Sequence, residues 1–378
     1  MHAESRELEG ARAEATAALA AWDLAPDAWQ LVGALSGSLG SELRPVVALG
    51  GARYVLRRQP PDLHERDIQF RHDFMAHLGA EGLPVPRLLP RPGGATHALV
   101  AGEFYELQEW RAGTPYRPRE AHATEQAAAA AATLATLHQA SALYAGAPQM
   151  WPEERSPRAM ARAYLDLLAT TERRDATSPA VAAAVARVVT AATERIAAAE
   201  DALAVTPGPP ELHIHGDYQP RNVAFAGTML AAVYDFDAVR WARRLDELAY
   251  ALLGFTALAG DDEHAPAPLA TDGLDTARAN AFLRAYGQVA PPAEEEAPLL
   301  GDAITLAFPV LLVNGLLEDL VFVEDFSEAP EDADLLARLE WADAFWVWLD
   351  RYRDVLAESW QAAPREPPAP RLRPSQPS

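Results

Sequence analysis

The segment His215–Asp237, HGDYQPRNVAFAGTMLAAVYDFD, carries two polar clusters separated by two short apolar runs. The runs VAF and LAAVY, with AGTM between them, predict a β-hairpin. Such a hairpin returns Asp235 to the end at which Asp217 and Asn222 lie. Side-chain oxygens brought together in this way suit a hard cation, and Mg²⁺ is the natural choice.

A magnesium site of this kind points to a nucleotide. Mg²⁺ held by one or two protein oxygens usually completes its shell with water and substrate phosphates. The carboxylate that does not hold the metal is then free to take a proton from an attacking hydroxyl group. The segment therefore predicts chemistry on a phosphate and a hydroxyl.

Composition narrows the classes of function. The chain has 378 residues, enough for one large domain or two moderate ones, and no cysteine, which excludes disulfides, thiolate zinc sites and a catalytic thiol. A net charge of −22 argues against nucleic acid as a partner and would attract a cationic substrate. There is no lysine, so any fixed cation other than histidine must be arginine.

Membrane insertion is not expected. The N-terminus lacks the basic-then-apolar layout of a secretion signal. The longest apolar run, Ala303–Leu317, is shorter than a membrane span and contains Pro309, so it predicts a buried helix pair. We expect no membrane partner and a cytoplasmic location; the sequence does not indicate an oligomeric state.

Two domains are predicted, because the sequence pattern changes along the chain from mainly strands to mainly helices. Residues 1–112 predict a small β-rich domain with a Gly-Gly turn at 50–51 and one main helix, whose apolar side carries Ile68, Phe74, Met75 and Leu78. Residues 113–362 predict a helical domain that contains the hairpin. The proline-rich residues 363–378 predict a disordered tail.

Several other polar and aromatic groups have structural explanations. His138 in LATLHQ is expected to be a packed, hydrogen-bonded histidine. The helically spaced aromatic residues of the last predicted helix are expected to be core, and they are Trp341, Phe345, Trp346, Trp348 and Tyr352. The acidic set Glu318, Asp319, Glu324 and Asp325 is either a solvated surface or an acidic wall for an amine substrate.

HGDYQPRN followed by VYDFD resembles the catalytic loop and metal-binding aspartate of the aminoglycoside phosphotransferase and choline/homoserine kinase superfamily. LSGSLGSELRPVV, RYVLRR, FYELQEW and LATLHQ resemble further parts of that family in the same order. The resemblance implies an α+β, bilobal protein-kinase-like fold, with a small β-rich N-terminal lobe and a large helical C-terminal lobe that carries the catalytic hairpin.

By this resemblance, ATP and Mg²⁺ are the implied cofactors and Asp217 would accept the proton of the acceptor hydroxyl. Asn222 and Asp235 would hold Mg²⁺, Asp237 would reach a second metal or the substrate, and His215 would brace the loop. Gln219 occupies the place of a lysine near the γ-phosphate in protein kinases. The nucleotide-binding candidates are Ser36, Gly37, Gly40, Val55, Arg57, Glu109 and Trp110.

The phosphate-binding cation departs from the family pattern, which usually has lysine. Strand alternation puts Arg57 on the face of Val55, so Arg57 is the first candidate and Arg58 the second. The family usually pairs this cation with a glutamate on the next helix, where this chain has Arg71. Either of two nearby acids is expected to take over that pairing, or the cation stays unpaired; the two acids are Glu65 and Asp73.

Three functions are compatible with these residues. The first is a kinase that phosphorylates a hydroxyl of a small, amine-bearing molecule, with aminoglycoside-like antibiotics as the first guess. The second is a kinase acting on a homoserine-like substrate or on serine or threonine of a peptide in a biosynthetic pathway. The third is a nucleotide-binding regulator with little turnover.

Overall fold

The structure is a computed structural model. It describes residues 2–36, 43–60, 63–150, 156–171, 178–204, 209–257, 274–313 and 332–362. The predicted tail at 363–378 and the four acids at 318–325 lie outside these residues.

The chain folds into two compact units. The first comprises Met1–Gly113, Tyr144–Gly146 and Ala231–Asp237. The second comprises Thr114–Leu143, Ala147–Leu230 and Ala238–Ser378. The segment that carries Asp235 and Asp237 therefore belongs to the first unit, whereas the sequence placed it in the helical domain.

The first unit is built on a five-stranded antiparallel sheet with the strand order β1-β2-β3-β5-β4. The strands are β1 (Trp29–Ser36), β2 (Leu43–Leu49), β3 (Ala52–Arg58), β4 (His97–Val100) and β5 (Glu103–Glu109). Gly50 and Gly51 join β2 to β3 with positive φ angles, as expected for the predicted Gly-Gly turn.

One face of this sheet packs against helix α1 (His2–Leu19). The buried core between them includes Leu19, Val47, Leu56 and Leu107, each no more than 1% exposed. Leu56 belongs to this core, so strand alternation turns its neighbour Arg57 to the opposite face.

Helix α2 (Glu65–Ala80) is the main helix that the sequence predicted. The four apolar side chains expected on one side of it, Ile68, Phe74, Met75 and Leu78, are all buried. Arg71 and His72 are buried on the same helix, and burial of two potentially charged side chains requires polar partners.

Truncation of Leu56 tests the core of the first unit. Leu56→Ala is expected to lower the free energy of unfolding by about 2–5 kcal/mol, because the methyl groups it removes leave a cavity. Leu99→Ala is the matched control, since Leu99 is 60% exposed on the edge strand, and should change stability by less than about 0.5 kcal/mol. Chemical denaturation measures both; equal losses would contradict this assignment of the core.

Within the described residues, the second unit is mainly helical. Its helices are α3 (Ala123–Ser141), α4 (Pro157–Thr171), α5 (Pro179–Leu203), α6 (Arg244–Thr256), α7 (Thr276–Val289), α8 (Glu296–Leu311) and α9 (Asp332–Gln361). Three of these helices begin at side-chain caps that accept a backbone N–H: Ser156 accepts from Ala159, Ser178 from Val181 and Asp275 from Arg278.

Helix α8 is continuous through Pro309, so the predicted break into a helix pair at this residue is not seen. Pro309 lies in the last turn of α8, where a missing N–H removes only one internal hydrogen bond. Phe308 beside it stacks on Phe345 of α9 with ring centroids 3.9 Å apart.

Four of the five aromatic residues of α9 that were predicted to be core are buried, and Tyr352 is only partly buried. Trp341, Phe345, Trp346 and Trp348 are each at most 5% exposed. Each of the first three also contacts the ring of Phe308. The helical spacing of these residues therefore reflects packing between α8 and α9.

Four short strands interrupt the helices. Strand β6 (Glu211–Ile214) pairs with β9 (Arg240–Arg243). Strands β7 (Val223–Ala226) and β8 (Met229–Val233) form a second two-stranded sheet, which is the predicted hairpin. In the described part of the chain, no helix combines the length and apolar character needed to cross a bilayer.

Candidate functional site

Each unit carries part of the predicted site. The second unit holds His215, Asp217, Gln219 and Asn222. The first unit holds Ser36, Val55, Arg57, Glu109, Trp110, Asp235 and Asp237. The expectation that Asp217, Asn222 and Asp235 share one ion stays a prediction, because these residues are divided between the two units.

The Asp217 carboxylate is held by three side-chain donors. Asn222 Nδ2 donates to Asp217 Oδ2 at 2.7 Å, and Gln219 Nε2 donates to Oδ1 at 2.7 Å. The hydroxyl of Tyr250 donates to the same Oδ1 at 3.1 Å. Sequence reasoning missed Tyr250, although its position in the stretch RLDELAY, residues 244–250, shortly after the hairpin, was an available signal.

Asn222 is oriented by Asp217. Its amide nitrogen donates both to the Asp217 carboxylate and to the Asp217 backbone carbonyl, at 2.7 and 2.9 Å. These bonds use both N–H groups of the amide, so its oxygen is the atom that could bind a cation. Asn222 is 9% exposed, and its donor chemistry fits the predicted role in Mg²⁺ binding.

His215 sits fully buried at the start of the loop. Its Nδ1 accepts the backbone N–H of Asp217 at 3.3 Å. Its ring meets Tyr218 edge-on, with centroids 5.9 Å apart. These contacts are of the bracing kind that the sequence suggested for His215.

The residue between His215 and Asp217 must be glycine. Gly216 has a φ of +84°, a region that L side chains rarely adopt. A Cβ at this position would lie 2.0 Å from the carbonyl oxygen of Ala238. Both the backbone angle and the close approach of Ala238 therefore exclude any side chain.

Glu247 on α6 anchors the loop that contains His215, Gly216 and Asp217. It accepts the backbone N–H groups of His215, at 3.1 Å, and Gly216. It also accepts from Nε2 of His138 at 2.8 Å, and His138 Nδ1 lies 2.6 Å from the Tyr286 hydroxyl. His138 is 1% exposed, which agrees with the predicted packed, hydrogen-bonded histidine.

The pKa of Glu247 is below its usual value. Burial by itself would raise this pKa, but the hydrogen bond from His138, the charges of His138 and His215 and the Gly216 N–H lower it. Glu247 is therefore a stabilised carboxylate at neutral pH. Sequence reasoning missed this role, because the donors lie far from Glu247 in the chain.

Asp217 lies on the wall of a cavity of about 250 Å³ within the second unit. Helices α4 and α8 supply apolar side chains to this wall, including Met160 and Leu306. The loop contributes Gly216 and Asp217, and α6 contributes Tyr250. The carboxylate that sequence reasoning made the proton acceptor thus borders a concave space large enough for a small ligand.

In the first unit, the buried side chain of Arg57 forms a network of ion pairs. Its guanidinium donates to both oxygens of Asp237, with Nη1 2.8 Å from Oδ1. It also lies 3.3 Å from Asp235 and 3.5 Å from Glu106. Burial would lower the pKa of Arg57, but the charges of Asp237, Glu106 and Asp235 raise it above its usual value.

Arg71 joins the same network. It donates to Asp237 and to the side-chain oxygen of Gln59. The prediction that Glu65 or Asp73 pairs with Arg57 is therefore wrong for the described structure. Glu65 contacts His97 at 3.0 Å, and Asp73 accepts from Gln69. Glu65 reaches the edge strand β4 through His97, and Asp73 bonds within its own helix, so neither acid contacts Arg57.

Glu106 on β5 completes the charge balance around Arg57. His72 of α2 lies 2.7 Å from its Oε2. Burial would raise the pKa of Glu106, but the hydrogen bond from His72 and the charges of Arg57 and Arg71 lower it. Two arginines thus share three carboxylates, of Asp235, Asp237 and Glu106, on this face of the unit.

The remaining nucleotide-binding candidates stay predictions. Gly37 and Gly40 lie outside the described residues, and Ser36 is the last residue of β1. Val55 pairs with Val46 and Gln108 in the sheet. The backbone N–H groups of the hinge residues are already engaged in the structure, that of Glu109 with Arg87 and that of Trp110 with Arg53.

No group of three or more histidine and acidic side chains in the described ranges is arranged to hold a metal ion. The site predicted from the sequence would use the Asn222 amide oxygen and the single carboxylate of Asp235, so it does not require a group of three such side chains. Asp235 adopts a φ of +60°, which is uncommon for a residue with a side chain.

A carboxylate held by three donors beside a cavity has the geometry of a candidate general base. A family model described as the phosphotransferase enzyme family (APH) matches residues 38–298, and the chain belongs to this family. A curated homoserine kinase of Acidiphilium cryptum is 28% identical over 316 residues, which cover 78% of this chain and 84% of that protein.

Two solved structures share the fold. An amicoumacin kinase in complex with AMP-PNP, Ca²⁺ and Ami superposes with a TM-score of 0.57 at 16% identity, over 97% of this chain and 98% of that chain. An aminoglycoside phosphotransferase from Alicyclobacillus acidocaldarius has a TM-score of 0.55 at 15% identity, over 91% of this chain and 96% of that chain. At these identities the likeness establishes the fold.

These findings confirm three predictions. The family resemblance is confirmed, as is the α+β protein-kinase-like fold with a small antiparallel sheet and a helical C-terminal part. The chain is a phosphotransferase enzyme of the small-molecule kinase class.

A pair of glycine variants tests the loop geometry. Gly216→Ala is expected to prevent the loop from adopting its native conformation, because the added Cβ would clash with the Ala238 carbonyl. Gly227→Ala is the matched control: Gly227 also has a positive φ, +63°, but no atom lies within 4 Å of its Cβ position. The control should lose only about 1 kcal/mol. Denaturation curves measure both, and similar curves would contradict the close approach at Gly216.

The variant Glu247→Gln tests whether Glu247 anchors the loop, through the pH dependence of the stability of the protein. Near neutral pH the variant should lose about 3 kcal/mol of stability, since an amide cannot replace the buried carboxylate. The folded-state pKa is depressed, so the stabilisation is fully present above the ordinary pKa of 4.5 and is lost as pH falls through the lower folded value. The difference from wild type should therefore shrink below about pH 4.5.

The control for this experiment is Glu194→Gln on the exposed side of α5. It should match the wild type across the same pH range, since surface substitutions are nearly neutral. A stability difference between Glu247→Gln and wild type that stays constant down to pH 2 would contradict a depressed pKa at Glu247.

Proposed function

We propose that the protein transfers the γ-phosphate of ATP to a hydroxyl group of a small, amine-bearing molecule in a Mg²⁺-dependent reaction. The observation that carries this proposal is the position of Asp217. Its carboxylate is held by Asn222, Gln219 and Tyr250 and lines the cavity of about 250 Å³. A fixed carboxylate on the wall of a cavity suits a base that meets a bound hydroxyl.

Asp217 orients the acceptor hydroxyl and accepts its proton. The hydroxyl oxygen forms a new bond to the γ-phosphorus, while the bond from that phosphorus to the β–γ bridging oxygen breaks. The proton moves to an oxygen of Asp217, and ADP carries away the electron pair of the broken bond. Because Asn222, Gln219 and Tyr250 fix the carboxylate, little reorganisation precedes this step.

Asn222 and Asp235 are the residues that would hold Mg²⁺. The fit rests on the Asn222 amide, whose N–H groups are both used by Asp217 so that its oxygen remains as a ligand atom. A divalent cation at this position would neutralise charge on the phosphate oxygens. The AMP-PNP and Ca²⁺ in the similar amicoumacin kinase structure support a nucleotide and a divalent ion.

Arg57 is the proposed phosphate-binding cation. It is 6% exposed and already lies beside the carboxylates of Asp235 and Asp237. A guanidinium can chelate two phosphate oxygens, so arginine can serve where the family usually has lysine. Ser36, Gly37, Gly40 and Val55 are proposed to cover the nucleotide.

An amine on the acceptor is favoured by the overall charge. The chain carries 54 acidic residues against 32 arginines, and a negative field of this kind raises the local concentration of a cation. The similar structures include an aminoglycoside phosphotransferase and an amicoumacin kinase. Aminoglycoside-like antibiotics are thus one class to assay.

A second candidate is a kinase for homoserine or for serine or threonine of a peptide. The curated relative at 28% identity is named homoserine kinase, which favours a small amino-acid-like acceptor. Assays must therefore include homoserine and hydroxyl-bearing peptides as well as amino sugars and amino alcohols.

Acceptor-dependent ADP release with Asp217→Asn tests the proposed function. The variant should lose about 10²- to 10⁴-fold in kcat, because the general base is gone, while it still binds ATP. Asp201→Asn, at an exposed position on α5, is the matched control and should retain full activity.

The rival outcomes are separable in this assay. Tight ATP binding without ADP release on any acceptor would overturn the proposal and favour a nucleotide-binding regulator. Equal rates for wild type and Asp217→Asn would also overturn it, since the carboxylate would then play no part in proton transfer.

A further inference from the structure

The wall of the cavity combines one apolar side with a few charged groups. Helix α8 contributes Leu306, Ala307 and Val310, and α4 contributes Met160. Its volume of about 250 Å³ lies below the 300–1,000 Å³ typical of pockets for drug-sized ligands. A large, polycationic amino sugar would have to place several ammonium groups against this apolar side, at a high desolvation cost.

Two of the four described charged residues on this wall, Glu247 and Arg240, are committed to the fold. Glu247 binds two backbone N–H groups and His138, as described above. Arg240 donates to the backbone carbonyls of Gly216 and Ala238 at 3.2 and 3.1 Å. These two side chains therefore support the loop and are poorly placed to recognise a ligand as well.

Asp246 differs from these groups. It lines the cavity and is 9% exposed. Its Oδ2 accepts from Nε of Arg243 at 3.0 Å, but its buried Oδ1 has no hydrogen-bond partner among the described residues. Burial raises the pKa of Asp246, and Arg243 and Arg240 only partly oppose this shift. A buried carboxylate oxygen of this kind calls for a hydrogen-bond donor.

We propose that the cavity binds a small amino alcohol with an apolar body: the hydroxyl meets Asp217, a single ammonium group meets Asp246, and the apolar body packs against α8. This inference rests on the proposed kinase function and specifies its acceptor class. It makes Asp246 a specificity-determining residue. The hydroxyl and the ammonium group are held by two carboxylates of the same wall, and the apolar body replaces water along Leu306, Ala307 and Val310.

A matched set of acceptors tests each contact. Phenylalaninol carries all three features, hydrocinnamyl alcohol lacks the ammonium group, alaninol lacks the aromatic ring, and kanamycin is a polycationic amino sugar. For the wild type, kcat/KM for phenylalaninol should exceed each of the other three by about 10- to 100-fold, the range expected when one charged hydrogen bond or one buried ring is lost.

Two variants assign these preferences to residues. Asp246→Asn should reduce the advantage of phenylalaninol over hydrocinnamyl alcohol from about 10- to 100-fold to within about 2-fold, as loss of the ammonium contact predicts. Ala307→Leu fills the cavity and should remove the advantage of phenylalaninol over alaninol. Ala183→Leu, on the exposed side of α5, is the control and should keep the wild-type order.

The outcomes separate this inference from the kinase function itself. Turnover with kanamycin or homoserine but not with phenylalaninol would overturn the amino-alcohol assignment and leave the kinase function standing. Preferences that survive both variants would overturn the roles of Asp246 and α8. Absence of ADP release above the Asp217→Asn level with every acceptor would instead overturn the proposed function. Because Ala307→Leu leaves the Asp246–Arg243 pair intact, the test stands even if Asp246→Asn unfolds.

Discussion

The buried carboxylate of Glu247 accepts the backbone N–H groups of His215 and Gly216, the two residues that lead into Asp217. A desolvated carboxylate binds such donors strongly, and both N–H groups would be costly to bury without it. The bonds force Gly216 into a positive φ angle, so the chain turns and presents Asp217. His138 supports the carboxylate from the other side. The position of the proposed base therefore depends on an acid that takes no part in the chemistry.

The absence of lysine has a structural consequence in the first unit. A lysine ammonium is a compact point charge, whereas a guanidinium is planar and presents five donors. Arg57 accordingly contacts three carboxylates at once, and Arg71 shares one of them, Asp237. Two buried cations on one face need this surplus of negative charge, because neither can be left unpaired. Asp237 thus links α2 to β3 in the place where the family uses a lysine and a glutamate.

Helix α8 contributes both to the core of the second unit and to the wall of its cavity. One side carries Phe308, which packs on the aromatic residues of α9. Another side lines the cavity through Leu306, Ala307 and Val310. A helix that buries two sides must be apolar nearly all round, which explains why its sequence looked like the longest hydrophobic run of the chain. The same composition that fills the core therefore makes this side of the cavity apolar.

Local sequence determined the elements of this protein: the apolar period of α2, the alanine-rich α3, the Gly-Gly turn and the hairpin between Asn222 and Asp235 all follow from residues a few positions apart. The motif around Asp217 also indicated the family. Only the tertiary structure decided the partners of the charged groups. Sequence reasoning offered acids near Arg71 as partners for Arg57, but the partner is Asp237, 180 residues away. Hydrogen bonds and ion pairs between distant segments depend on how the elements pack, and the local periodicity of a sequence carries no information about that packing.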